Sequence, residues 1–298
     1  MADGKKNINQ VTNATALSNS DYVFISKSGE NLQKIKYDTL INQMYTTGDF
    51  MSNTSGIAAG THNSIYRGKN LGTSFTDAQS TEIKNGTFKD IFVGDYWTIN
   101  GRIYRVAGCD IIYRCGDNIS LGHHVIVVPD NALYNGQMHN TTTGSYLDDA
   151  TNNTTEGGYF SSDMRNLNLS NARATITSDF GVSHVLSYRD LLTTSIGVYA
   201  DIVDKSNNWE WKDCTIELMS EIMVYGLTFW GTSPYEGGIF KSQFPLFKLN
   251  PSMIGTRYNY WLRSIASASS FCCVSSQGIA NSSEASRVFG VRPFAIIA

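Results

Sequence analysis

The first apolar and polar positions of the chain predict a small hairpin followed by one helix. The segment Asp21–Ser26 indicates a short strand, Ser28–Asn31 a turn and Gln33–Lys36 a second strand. Apolar residues then recur with the spacing of one helix face, at Tyr37, Leu40, Ile41 and Met44. A hairpin with one helix is too small to be stable alone, so we expect residues 1–47 to pack on copies of themselves or on a larger body.

Residues 48–88 show no such pattern. Gly, Ser, Thr and Asn dominate this segment, and large apolar residues are few. Such a composition is typical of an extended chain that buries little surface. We therefore expect a linker or shaft here.

From about residue 89 the pattern becomes that of a packed domain. The segment Ile91–Val106 predicts a hairpin with Asn100-Gly101 as its type I′ turn, and His123–Pro129 predicts a further strand. Helices are expected near Ser161–Ser170 and over Thr215–Tyr225, where apolar residues share one face. Many short strands with few helices predict an α+β domain over residues 89–298.

Charge and composition narrow the function classes. The 298 residues carry 23 basic and 26 acidic side chains, a net charge of −3, which is no footprint for nucleic acid or an anionic membrane surface. Only 16% of residues are charged, so Asn, Ser and Thr must supply the polar surface beside 16 Tyr, 14 Phe and 5 Trp. An uncharged, aromatic surface suits a binding protein better than a metabolic enzyme.

Segments that would export or insert the chain are not expected. The opening MADGKKNINQ has no apolar signal region, and no run of 18 apolar residues occurs. The five cysteines are an odd number, and Cys272 and Cys273 are adjacent, which makes a bond between them sterically awkward. We expect buried thiols in a chain made in a reducing cytoplasm.

The C-terminal motifs point to a family. Tyr260-Trp-Leu-Arg-Ser264 followed by Gly290-Val-Arg-Pro-Phe294 resembles the end of C-type-lectin-like domains of the formylglycine-generating-enzyme type, which recur in phage tropism proteins. The segments Thr155–Tyr159, Glu217–Glu221 and Gln243–Phe247 look like further marks of the same phage group. The resemblance implies a C-type-lectin-like fold for residues 89–298. The end of the chain, from Tyr258, is strand-like and closes with the apolar run Val291–Ile297. Within it we expect Val291 and Phe294 to be core, and Arg292 to cap a strand end or to pair with a buried carboxylate.

The N-terminal segment resembles a second phage feature. Asn19–Ile25 with Leu40 is similar to the opening that many phage fibres use to dock on the virion. The two resemblances together imply a head-fibre or tail-fibre subunit on the virion surface, made in the bacterial cytoplasm. They also imply homotrimers, contacts with other virion proteins and a bacterial surface receptor, protein or glycan. The virion-anchor candidates are Tyr22, Phe24, Tyr37, Leu40, Ile41 and Met44.

A serine-rich segment lies between the two tail motifs. Ser264–Ser286 has nine serines among its 23 residues, and in the fold it resembles the equivalent stretch is displayed on the binding face. The candidate receptor-binding residues, expected to face solvent, are Tyr258, Asn259, Ser267, Ser269, Phe271, Ser275 and Asn281. An ordinary solvent loop, or a loop diversified by a reverse transcriptase that mutates template adenines, are the alternatives.

Catalysis is not expected. The sulfatase-modifying members of the resembled family use two cysteines a few residues apart, whereas Cys272 and Cys273 are contiguous. Glu217 and Glu221 are four residues apart on the expected helix, a spacing more typical of a solvated face or of a partner for a buried arginine than of a glycosidase pair. A purely structural capsid decoration protein and a glycan depolymerase remain the alternatives to a receptor-binding subunit.

Metal sites are not predicted either. His123-His124, His139, Cys109 and Cys115 fit no zinc spacing, and neighbouring strand residues such as the two histidines point to opposite faces. The calcium triplets of sugar-binding C-type lectins are missing, with Trp211-Lys-Asp213 the nearest approach. We expect no metal and no cofactor.

The expected assembly of residues 1–88 can be measured directly. Because this part would bury too little surface in a monomer, the full-length chain should be a symmetric homo-oligomer, most simply a trimer with parallel N-termini. Static light scattering at about micromolar concentration should give the mass of three chains. A clean monomer would contradict the prediction.

Overall fold

The computed structural model describes residues 22–25, 33–36, 58–140, 153–194, 209–231 and 238–298. The chain divides into two compact units, Met1–Ser55 and Gly56–Ala298. In the first unit, β1 (Tyr22–Ile25) pairs antiparallel with β2 (Gln33–Lys36), which confirms the predicted hairpin. The helix predicted after it lies outside the described residues.

The second unit begins before the boundary expected at residue 89. Helix α1 (Ala58–His62), strand β3 (Asn70–Gly72) and helix α2 (Asp77–Lys84) all belong to it. The linker expected over residues 48–88 is therefore wrong from residue 58 onward.

Local contacts explain why this polar segment is packed. Thr76 and Gln79 form a capping box: the Gln79 N–H donates to Thr76 Oγ1 at 3.2 Å, and the Thr76 N–H donates to Gln79 Oε1 at 3.1 Å. The same Gln79 oxygen accepts from Trp97 Nε1 at 3.0 Å. Ile83 is fully buried. Hydrogen bonds and scattered apolar contacts, such as those of Leu71 and Phe75 with the core, thus replace the hydrophobic stripe that the segment lacks.

A six-stranded sheet forms one half of the second unit. Its spatial order is β10 (Ile216–Leu218), β15 (Pro293–Ile297), β6 (Val125–Pro129), β5 (Arg102–Cys109), β4 (Tyr96–Ile99) and β3. All neighbours are antiparallel except β3 and β4. Asn100 and Gly101, with φ of 50° and 76°, form the turn between β4 and β5, which confirms the predicted hairpin.

A five-stranded sheet carries the C-terminal motifs. Its order is β13 (Ala280–Glu284), β12 (Ser270–Val274), β11 (Tyr260–Ile265), β14 (Phe289–Val291) and β7 (Tyr134–Gly136). Strands β11 and β14 are parallel, and the other pairs are antiparallel. Strand β11 is buried along its whole length, and β12 is buried from Phe271 onward. The two edge strands, β13 and β7, are the more accessible ones.

Helices are few and short, apart from one. They are α3 (Gly158–Ser161), a π-helical turn (Met164–Asn168), α4 (Leu169–Phe180), α5 (Glu221–Tyr225) and α6 (Pro245–Leu249). A separate hairpin joins β8 (Tyr188–Thr193) to β9 (Trp209–Cys214). The helix predicted near residues 161–170 is present and continues to Phe180. The unit is α+β, as expected.

The helix expected over Thr215–Tyr225 is half wrong. Its first part is β10, in which Glu217 lies opposite Phe294 of β15. The helix starts only after Ser220, whose Oγ accepts the Met223 N–H at 3.3 Å. Long-range strand pairing therefore overrides the local helical spacing.

The C-terminal motif forms core, as predicted, but its arginine binds no carboxylate. Val291 and Phe294 are fully buried. Arg292 donates from Nε to the Pro129 carbonyl oxygen at 2.8 Å, and its guanidinium stacks over the rings of Phe247 and Tyr260. The expected pairing of Arg292 with a buried carboxylate is not found among the described residues.

The side chain of Asp179 ties the end of α4 to the β4–β5 hairpin. Its carboxylate accepts from Arg102 Nε and Nη2, both at 2.7 Å, from the Tyr104 hydroxyl at 2.5 Å and from Asn100 Nδ2 at 2.8 Å. Burial alone would raise the pKa of Asp179, but the hydrogen bonds from Arg102, Tyr104 and Asn100 outweigh it and hold the pKa below its ordinary value.

Replacing this carboxylate should destabilise the fold in a pH-dependent way. Asp179→Ala should lower the free energy of unfolding by roughly 2–4 kcal/mol near neutral pH, because it leaves buried donors unpaired. Since the folded pKa is depressed, the stabilisation is complete above the unfolded carboxyl value of about 3.9 and is lost as pH falls through the folded pKa. Urea unfolding at decreasing pH should therefore show the two proteins converging.

The matched control is Asp213→Ala, because the Asp213 side chain is 90% exposed. This variant should stay close to the wild-type stability near neutral pH. An equal decrease in the free energy of unfolding of both variants would contradict the role given to Asp179.

Candidate functional site

Large apolar side chains stand in solvent after helix α5. Leu227, Phe229 and Trp230 are 50%, 61% and 51% exposed, and Ile279, in the turn between β12 and β13, is 61% exposed. We call these four residues the aromatic platform. Scattered exposed apolar residues are ordinary, but a group of them marks a contact surface.

Hydrogen bonds join the loop that carries the platform to the β12–β13 turn. Trp230 Nε1 donates to the Ala280 carbonyl oxygen at 3.1 Å, and the Tyr225 hydroxyl donates to the Gly278 carbonyl oxygen at 3.1 Å. The rings of Tyr225 and Phe229 meet edge to face at 5.6 Å. Loop and turn therefore present a single surface.

A buried carboxylate fixes the backbone of this loop. Glu221, fully buried at the start of α5, accepts the backbone N–H groups of Phe229, Trp230 and Gly231 at 3.1, 3.2 and 2.7 Å. Its own N–H donates to Ser264 Oγ of β11 at 2.9 Å. A buried charge is tolerated only when donors surround it, so these contacts hold the loop in one conformation.

The second glutamate has a different environment. Glu217 lies on β10, fully buried, and accepts the Tyr159 hydroxyl at 2.7 Å; Arg165 Nε lies 3.2 Å from Oε1. Burial and the neighbouring Glu217 raise the pKa of Tyr159, so its hydroxyl stays protonated and donates. Glu217 is thus an arginine partner, although the Arg165 side chain is partly exposed, at 11%. A shared solvated helix face is wrong for both glutamates.

Part of the expected recognition segment meets the platform. Tyr258 is 75% exposed, and Asn259 Oδ1 accepts the Ser276 N–H at 2.8 Å. In the β12–β13 turn, Ser275 Oγ accepts the N–H of Ile279 at 3.1 Å. Asn281 is exposed on β13. The structure thus groups Tyr258, Asn259, Ser275 and Asn281 around the turn that carries Ile279.

The remaining candidates lie elsewhere. Phe271 is fully buried, because β12 lies between β11 and β13 and is covered on both faces, so the expectation that it faces solvent is wrong. Ser267 is exposed and Ser269 half-buried in the turn between β11 and β12, at the opposite end of β12 from Ser275. The seven candidates therefore do not form one cluster.

The virion-anchor candidates receive little structural description. Tyr22 and Phe24 lie on β1, where only the backbone is described. The other four, Tyr37, Leu40, Ile41 and Met44, lie outside the described residues. Their role stays a prediction.

Most of the cysteines are buried, and the described residues form no metal site. Cys115 is exposed, whereas the other four cysteines, Cys109, Cys214, Cys272 and Cys273, are buried thiols. Burial, with Glu221 nearby, raises the pKa of Cys273 to about 12. The described part of the chain contains no group of three or more His, Cys, Asp or Glu side chains that could hold a metal ion. No helix in the described ranges is long and apolar enough to cross a membrane.

Comparison with known proteins gives one match. A family model described as a domain of unknown function (DUF6273) matches residues 232–298, which include β11 to β15 and Ile279 of the platform. Neither the curated proteins nor the solved structures include a match to this chain. The matched family carries no described activity, so the site has to be interpreted from its own geometry.

Sequence reasoning missed the platform itself. The signal was the run Leu227-Thr-Phe-Trp-Gly231, three large apolar residues in a short segment directly after the end of a helix. The helix end is marked by Gly226, which adopts the left-handed conformation with a φ of 81°. Apolar residues after such a cap no longer belong to the helix face that packs on the core, and here their side chains are exposed to solvent.

Removing the charge of Glu221 should loosen the platform. Glu221→Gln keeps the shape but replaces one acceptor oxygen by a donor, so N–H groups at 229–231 lose a partner. The free energy of unfolding should fall by roughly 1–3 kcal/mol. Hydrogen exchange at these three amides should accelerate more than elsewhere in the unit.

Glu284→Gln is the matched control, because that side chain is 53% exposed on β13. It should change neither stability nor exchange at 229–231. Unchanged exchange in Glu221→Gln would show that the carboxylate does not hold the loop.

Proposed function

We propose that the chain is a subunit of a bacteriophage virion appendage, a head fibre or tail fibre, whose larger unit binds a receptor on the bacterial surface. The contact surface is the aromatic platform with Tyr258 and Asn259 beside it. The observation that carries the proposal is the exposure of Phe229 and Trp230 on a loop whose backbone is held by buried Glu221.

Physical chemistry favours recognition at such a surface. Aromatic side chains have few rotatable bonds, so they bury a large area on binding at a low entropic cost. A loop already held in one conformation avoids the further cost of ordering on association. Ser275 and Asn259 supply adaptable hydrogen-bonding groups at the border of the platform. Rigid aromatics with a polar border are the composition of a binding surface.

The organisation of the chain supports attachment to a larger particle. Residues Met1–Ser55 form a unit separate from the one that carries the platform, and that unit contains the β1–β2 hairpin. In the proposal it anchors the subunit to other virion proteins and assembles homotrimers. The larger unit, with its two mixed sheets and short helices, is proposed to be C-type-lectin-like. The subunit is made in the bacterial cytoplasm and displayed on the virion.

In this proposal the subunit binds its receptor and catalyses no reaction on it. Glu217 and Glu221 are both fully buried, and each accepts several hydrogen bonds. A glycosidase needs two carboxyl groups facing one substrate across a cleft. The platform, with Tyr258 and Asn259, instead offers apolar and uncharged polar side chains and no carboxylate. These features support binding over the depolymerase alternative.

Binding of the labelled full-length chain to a panel of bacterial strains tests the proposal. Phe229→Ala and Trp230→Ala should each weaken binding to a recognised strain by about tenfold or more, because truncating a central aromatic anchor removes most of its burial. Flow cytometry over a concentration series gives the apparent Kd.

Ile119→Ala is the matched control, because Ile119 is 77% exposed and outside the platform. It should bind like the wild type. Strains that bind all four proteins equally would contradict the assignment of the platform. Binding to no strain, with the protein present on particles, would favour a purely structural role.

A further inference from the structure

A second feature, a small pocket, lies beside the proposed binding surface. It has a volume of about 240 Å³, and its lining includes Asp130, Asn131, Thr256, Arg257 and Arg292. The loop that borders it packs on the platform turn: a Cβ at Gly255 would lie 3.3 Å from the backbone nitrogen of Gly278. The pocket therefore opens next to the segment that carries Ile279.

Among the described residues, no carboxylate compensates the buried charge of Arg292. A guanidinium has five N–H groups. Four of those of Arg292 donate, to the carbonyl oxygens of Pro129, Ile254 and Met253 and to the Tyr260 hydroxyl, at 2.8 to 3.2 Å. All four acceptors are neutral, and no carboxylate of the described residues lies within ion-pair distance of this side chain, which is 1% exposed. Nη2 makes one of these bonds, to the Met253 carbonyl oxygen, so its second N–H has no protein acceptor among the described residues.

Arg257 adds a second cation. It is exposed, and among the described residues it has no ion pair. Its backbone adopts a φ of 64°, a left-handed conformation that is costly for a residue with a long side chain and that tends to persist at functional positions. Arg257 lines the pocket together with Arg292.

The one acidic residue in the lining is already neutralised. Asp130 forms a bidentate salt bridge with Arg105: Nε donates to Oδ1 at 2.7 Å, and Nη2 donates to Oδ2 at 2.6 Å. Arg105 cancels its charge, so Arg257 and Arg292 leave the pocket with an excess of two positive charges. Such a pocket favours an anion.

We propose that this pocket binds an oxyanion, a carboxylate or a phosphate, carried by a glycan of the bacterial surface. Arg257 contacts the anion directly, and Arg292 supplies the free Nη2 N–H and the buried charge. Neighbouring sugar rings of the same glycan then reach the aromatic platform. This inference rests on the proposed function, because it names the chemical class of the receptor.

Titration of the full-length chain with small probes tests the pocket. Glucuronic acid carries the carboxylate, glycerol 3-phosphate the phosphate, and glucose is the uncharged control. Saturation-transfer NMR should show saturable binding of at least one anion and none of glucose. Arg257→Gln should weaken anion binding by about tenfold or more, because it removes a charged hydrogen bond. Comparing the two anions identifies which group the receptor carries.

Arg114→Gln is the matched control, since Arg114 is also exposed and also left-handed, with a φ of 53°, but does not line the pocket. It should bind the anions like the wild type. Binding of neither anion, or equal binding by Arg257→Gln, would overturn the inference. If the chain nevertheless binds bacteria through the platform, the inference alone fails. If the anions bind and no strain is recognised, the proposed function fails and the pocket stands.

Discussion

A carboxylate without access to water has to be met by hydrogen-bond donors, and Glu221 meets this requirement with backbone N–H groups. Among the described residues no cation pairs with it, so residues 229–231 must run past the start of α5 to supply the donors. This path leaves the side chains of Phe229 and Trp230 outside. The position of the platform therefore follows from one buried charge, which Ser264 links in turn to the C-terminal sheet.

The same constraint organises the rest of the larger unit. Buried carboxylates join elements distant in sequence: Asp179 joins α4 to the β4–β5 hairpin, and Asp190 of β8 pairs with Arg263 of β11 at 2.7 Å. Only 16% of the residues are charged, so each charged residue that is buried reduces the small number left for the surface. Asn, Ser, Thr and aromatic side chains share the surface with the charged residues that are not buried. That composition suits recognition.

Local patterns predicted the elements whose stability is local. The hairpin at Asn100-Gly101 follows from turn chemistry, and the buried C-terminal strand follows from its apolar run. Strand β10 was not predictable in this way, because its partner β15 lies far along the chain. The prediction that Phe271 faces solvent failed for a similar reason, since a serine-rich composition does not reveal that β12 lies in the middle of a sheet. At the proposed site, the sequence named Tyr258 and Asn259 as candidates, and the structure places them beside the platform turn. The platform was not predicted from the sequence, because its exposure depends on which backbone N–H groups donate to Glu221.

In the proposed function one surface, formed by residues 225–231, 254–259 and 275–281, contacts the bacterial receptor. Amide hydrogen exchange of the full-length chain, measured alone and with purified envelopes of a recognised strain, tests it most directly. The account predicts that new protection appears in these three segments together. Protection confined to the β11–β12 turn at 266–269, with the three segments unchanged, would contradict it.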